Sequence, residues 1–200
     1  YSKHVNDIHK LRLLNKDFNT FSLQKGSFVN YDIINQQIKD FDITVNTLQK
    51  RMVQNKEDSK LSQALIEIKS DYQKKTLLLE HLKSFNSAIS SSLQYLYDLK
   101  KNINQLESIE KSDKQMMGNT LFMTTQLYAG LIKNRDKINQ NIEKIEALEK
   151  QSKNNYIRYF YAHEKSIIKK ISNIQKEQKS VINLDIASKL DLVYILLEEK

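Results

Sequence analysis

Across 200 residues the chain holds no proline and only three glycines, and this shortage of breakers constrains its fold more than any motif. Proline removes a helix hydrogen bond and glycine loosens the backbone, so both normally punctuate a globular chain. Cysteine and tryptophan are absent as well. Asn, Gln, Lys and Glu fill the spaces between apolar residues that recur every three or four positions. That is the periodicity of amphipathic helices, and it runs from end to end. The chain is expected to be all-α: an elongated up-down bundle of long antiparallel helices, built as two stacked helical-bundle modules.

Polar stretches at 54–58, 110–113 and 151–155 divide the chain into four segments, with Asp58 and Ser112 or Asp113 as expected N-caps. Further breaks are expected near Gly26–Asp32 and near Gln178–Asp185. In the second segment Leu61, Leu65, Ile68, Tyr72, Leu79, Leu82, Ile89, Leu93, Leu96 and Ile103 form a stripe, with Lys75, Asn86 and Lys100 in its remaining positions. The first segment runs through Phe18, Phe21, Phe28, Tyr31, Ile34, Ile38, Phe41, Val45, Leu48 and Met52, with a phase slip after Phe28. Leu121, Tyr128, Leu131, Ile138, Ile142 and Ile145 set Arg135 in the third stripe. Tyr156, Phe160, Ile167, Ile171 and Ile174 set His163 in the fourth.

Hairpins centred on the polar stretches bring the interruptions to one height. Position 30 falls beside about 83, 84 beside about 140, and 140 beside about 166. The groups so aligned are Asn30, Tyr31 and Asp32, then Lys83 and Asn86, then Arg135, then His163. A buried charge is costly unless paired or solvated, so a polar layer of this kind needs a reason. One reason is register, since polar residues in a helical seam fix alignment. The other is a ligand pocket lined by these seven residues, in which the planar fork of Arg135 suits a carboxylate or phosphate. In the pocket reading Asp32 and Asn86 face each other across the first hairpin.

Other classes are disfavoured. The net charge is +8, but the lysines are dispersed among glutamates along every segment, whereas phosphate readers cluster their positive charge. No nucleic-acid partner is expected. Without cysteine there is no disulfide, thiolate nucleophile or cysteine metal site. His4, His9, His81 and His163 are scattered without ligand spacing, and no phosphate loop or catalytic triad motif occurs. No metal, cofactor or catalytic residue is expected. No apolar run reaches the ~20 residues of a membrane span. The opening Tyr1 in place of methionine is expected of a segment cut from a longer protein, with both termini at one end of the bundle.

Two stretches carry a resemblance. KGSFVNYDIINQ (Lys25 to Gln36) and LLLEHLKSFNSAISSSLQYL (Leu77 to Leu96) are similar to the double all-helical ligand-binding (DAHL) domain. The matching residues are Asn30, Tyr31 and Asp32, with Ile33 where proline is usual, and Lys83, Ser84, Asn86, Ser92, Leu93 and Tyr95. HEKSIIKKI (His163 to Ile171) resembles the family's His-led helix. The resemblance implies one extracytoplasmic sensor domain over residues 1–200, with membrane-proximal and membrane-distal modules sharing long helices. It would sit in the periplasm between two transmembrane helices of a signalling receptor, most often a dimeric histidine kinase. Its partner would be a small molecule or a periplasmic binding protein, and the domain itself would not be an enzyme. The rival reading is a structural coiled-coil or adaptor protein, for which the stripes would run uninterrupted.

Overall fold

A computed structural model describes residues 2–24, 30–54 and 59–198. Its elements are α1 (Ser2–Leu23), α2 (Tyr31–Gln54), α3 (Ser59–Gln105), α4 (Lys111–Tyr128), α5 (Asp136–Ser152), α6 (Asn155–Asn183) and α7 (Ile186–Glu198). No strand occurs among the described residues, and the neighbouring helices pack antiparallel as the missing breakers predict. Two compact units divide the chain, and the division falls inside α3 between Leu82 and Lys83 and inside α6 between Lys176 and Glu177.

The first unit comprises α1, α2, the first half of α3, the end of α6 and α7. Asp7 bonds Arg51 at 2.6 Å and Asp17 accepts from Gln37 at 2.9 Å, so α1 and α2 run antiparallel. Asn46 accepts from Lys69 at 2.9 Å, and Phe41 stacks on Tyr72 with centroids 3.6 Å apart, which reverses α3 against α2. Lys189 of α7 reaches Asp71 and Glu177 lies beside His81, reversing direction once more. The start of α1 and the end of α7 therefore share one end of this unit. Tyr1 and Lys200 themselves lie outside the described residues. Phe18, Phe41 and Tyr72 are buried together at its centre, flanked by Leu11, Leu65 and Ile68.

The second unit holds the rest of α3, α4, α5 and α6 as far as Lys176. Its core is Ile89, Leu96, Met117, Leu121, Ile138, Ile145, Phe160 and Ile167. α3 and α4 approach closely where Lys100 crosses Gly118: a Cβ there would meet the Lys100 Nζ at 2.8 Å. α4 closes on a Schellman turn. The Leu131 amide bonds the Gln126 carbonyl and the Gly130 amide bonds that of Leu127, with Gly130 at φ 76°.

Several sequence expectations are corrected. The second break lies at Leu106–Glu110, so Ser112 and Asp113 stand inside the first turn of α4 and Glu110 is its N-cap. The third segment is two helices, because the Gly130 turn interrupts it. Leu131 is 75 % exposed, and Arg135 is the N-cap of α5 rather than a stripe position. In α6 the buried positions are Ile157, Phe160, Glu164, Ile167, Ile171, Ile174, Gln178 and Val181, while Tyr156 is exposed. The stripe thus runs through Phe160, Ile167, Ile171 and Ile174 as expected, but it starts at Ile157 rather than Tyr156 and its interrupting residue is Glu164 rather than His163. The third break, at Lys153–Asn154, is where the sequence put it, Lys153 taking the left-handed conformation. The last falls at Leu184–Asp185, where Asp185 caps α7 by accepting from the Ser188 amide and hydroxyl. Gly26, Phe28 and Asp58 lie outside the described residues.

Candidate functional site

Each unit contains a buried ionisable side chain on a core stripe, and the two are handled differently. In the first, Lys75 is fully buried one turn from Tyr72. Its ammonium donates to Asn15 Oδ1 at 2.7 Å and to Asn19 Oδ1 at 2.6 Å. Burial pulls its pKa down to about 8, with Asp185 pulling the other way. α1 supplies both acceptors because Asn15 and Asn19 are one turn apart on one face.

In the second unit Glu164 of α6 is fully buried. Its Oε2 accepts from the Thr124 hydroxyl of α4 at 2.7 Å, while its Oε1 is buried without a hydrogen-bond partner. Burial pushes its pKa up to about 7, the Thr124 bond acting against the rise. One turn earlier on α4, buried Thr120 accepts from Asn141 of α5 at 3.0 Å and donates to the Met116 carbonyl. Asn141 also lines a cleft of about 610 Å³ between α4 and α5. Two buried polar pairs, Glu164 with Thr124 and Asn141 with Thr120, thus lie one turn apart along α4.

The residues singled out from sequence have separate partners. Asn30 caps α2, its Oδ1 accepting from the Asp32 amide at 3.1 Å. Asp32 is exposed in that helix's first turn, where a carboxylate complements the helix dipole. Tyr31 is half-buried at the first position of α2, and Lys83 is half-buried on α3. Asn86 accepts from the Tyr128 hydroxyl at 2.8 Å. Arg135 spends its fork on Ser172 Oγ at 2.5 Å and Gln175 Oε1 at 2.7 Å, gripping one turn of α6. His163 Nδ1 lies 3.1 Å from Ser92 Oγ, its ring 4.6 Å from that of Tyr95, and burial lowers its pKa, helped by Lys170. Asp32 belongs to the first unit and Asn86 to the second, each engaged within its own unit.

Among the described residues no group of three His, Cys, Asp or Glu could hold a metal ion. None of the described helices is long and apolar enough to cross a membrane. The sequence model of the DAHL domain matches residues 1–199. The chain belongs to the DAHL family. A DAHL domain is a sensor domain of signalling receptors and is not itself catalytic. No curated protein and no solved structure matches the chain. Within this DAHL domain the residue that sequence reading missed is Glu164. Starting the α6 stripe at Ile157 in place of Tyr156 would have found it, because alternating steps of three and four then run through Phe160, Glu164 and Ile167 and skip His163.

Proposed function

We propose that this DAHL domain is the extracytoplasmic, periplasmic sensor of an inner-membrane receptor whose cytoplasmic output is a histidine kinase, working as a homodimer between flanking transmembrane helices. The observation that carries the reading is the family match over residues 1–199. Sensing is assigned to the second unit. Its interior holds an incompletely paired carboxyl at Glu164 and, one turn along α4 from Thr124, a second buried polar pair of Thr120 and Asn141. A ligand that favours one packing of α4 and α5 against α6 would shift a population between two arrangements, since packed helices are bistable rather than continuously deformable. Asn86, Arg135 and His163 bond between the helices of this unit, and their hydrogen bonds are where such a shift would register. The ligand is a small molecule or a periplasmic binding protein.

Location and output are tested separately in the full-length receptor. The 200 residues contain no cysteine, so Ser91→Cys, at an exposed position of α3, gives a single reporter in the domain. Labelling by a membrane-impermeant maleimide in intact cells, with none for the wild type, is expected; labelling only after lysis contradicts the extracytoplasmic reading. Membranes holding the receptor are expected to transfer the γ-phosphoryl group of ATP to a histidine outside this domain. An acid-stable phosphoryl group, or none, would point to a different output.

A further inference from the structure

We propose that the α4–α5 cleft of the second unit binds a small organic carboxylate with an apolar body, an inference that rests on the sensor reading and gives it a ligand class. The volume, about 610 Å³, is that of a small-molecule site. Both walls belong to one unit and are joined by the short Gly130 turn, which makes the two helices antiparallel neighbours. The Asn141–Thr120 hydrogen bond fixes their register. One turn from Asn141 on α5, Lys137 then stands at the end of the cleft that holds Phe122 and Met123. Lys144 stands at the opposite end, with Met116.

The lining selects the ligand. Lys137 and Lys144 are exposed, have no hydrogen bond or ion pair among the described residues, and edge the cleft about 10 Å apart along the helix. The apolar lining is Met116, Met123 and Phe122, the last 59 % exposed. Thioethers and an aromatic face adapt to an apolar body without fixing its shape. The buried floor residue is neutral: Asn141 is 3 % exposed, and its Nδ2 is held by Thr120. No arginine lines the cleft, so the paired donor fork suited to phosphate is missing and a single negative charge is the better complement. Asp113 at the Lys144 end disfavours a dianion and leaves Lys137 as the principal anchor for the carboxylate.

The chain's methionines make the test local. There are four, of which Met116 and Met123 line the cleft, Met117 is buried in the core of the second unit, and Met52 lies in the first. Methyl-labelled methionine is followed by NMR while phenylacetate, hexanoate and indole-3-acetate are titrated to about 10 mM, each beside its own uncharged amide. At least one acid is expected to shift the Met116 and Met123 signals saturably, leave Met52 in place, and bind at least about tenfold more tightly than its amide. Lys137→Gln should weaken it by at least about tenfold. Phe122→Ala should weaken it too, whereas Lys179→Gln, at an exposed position of the first unit, should not. The assignment is overturned if no acid moves the two signals, if acid and amide bind alike, or if Lys137→Gln binds as the wild type does. All three results leave the maleimide experiment untouched, so the cleft can fail while the sensor reading stands.

Discussion

The two units bury opposite charges and reach opposite solutions. In the first, Lys75 is met by two amide oxygens from one face of α1, and the unpartnered polar atom beside it is the neutral hydroxyl of Tyr72. In the second, Glu164 has one hydroxyl, and the atom left without a partner belongs to the ionisable group itself. An unpaired hydroxyl costs roughly 1–3 kcal/mol, whereas an unpaired ionised carboxylate costs more and relieves itself by taking up a proton. The first unit thus has its buried cation hydrogen-bonded in place, and the second keeps a carboxyl whose state its surroundings can change.

Removing the buried cation should have the largest effect. Lys75→Ala leaves a cavity and two unmatched amide oxygens, so the first unit should lose about 3–4 kcal/mol, read as faster hydrogen exchange in α1 and the first half of α3. A near-neutral result would mean that Asn15 and Asn19 do not hold the lysine. Alkaline titration gives the next effect. Lys75 has a folded pKa near 8 against an ordinary 10.5, so the folded state binds fewer protons than the unfolded one between those values. Stability of the first unit should rise by up to about 2–3 kcal/mol from pH 8 to 10.5, and Lys75→Met should abolish the rise. Glu164→Leu is expected to stabilise the second unit by about 1–2 kcal/mol at pH 7.5, because an apolar residue replaces an incompletely paired carboxyl. Loss of stability there would show that Glu164 is better satisfied than its single hydrogen bond indicates. Smallest is Arg135→Ala. Both its acceptors are neutral, so a cost of about 0.5–1 kcal/mol is expected. A loss several times larger would reveal an ion pair and restore a central role to this residue.

Much of this was legible in the chain. The α3 stripe from Leu61 to Ile103 is buried at every apolar position named, and Lys75 occupies the vacancy the spacing assigned to it. What the pattern did not convey was the worth of that vacancy, since the two asparagines that satisfy Lys75 lie on a different helix. The α4–α5 break was concealed because Leu131 and Ile132 continue an apolar rhythm past Gly130 into a turn. The glycine itself, at the position where a Schellman turn needs positive φ, was the better signal. The α6 phase was set by Tyr156, whose ring is amphipathic and tolerates exposure, rather than by Ile157, which does not. That one-residue choice moved attention from the buried glutamate to the half-buried histidine beside it. Asn30 was noticed for its place in a motif, and its hydrogen bond is that of a helix cap.

The claim that the second unit holds an incompletely paired carboxyl is tested most directly by its acid–base behaviour. Glu164 has a folded pKa near 7 against an ordinary value of about 4.5, so between those values the folded state binds more protons than the unfolded one. Its stabilising effect is complete below about pH 4.5 and is lost as pH rises through 7. Hydrogen exchange of α4 and α6, corrected for intrinsic rate and compared from pH 5 to 8 in wild type and Glu164→Gln, isolates this term. Protection in the wild type is expected to fall by about 2–3 kcal/mol relative to the variant over that range. Parallel profiles in the two proteins would mean that Glu164 ionises normally, and the contrast between the units would be contradicted.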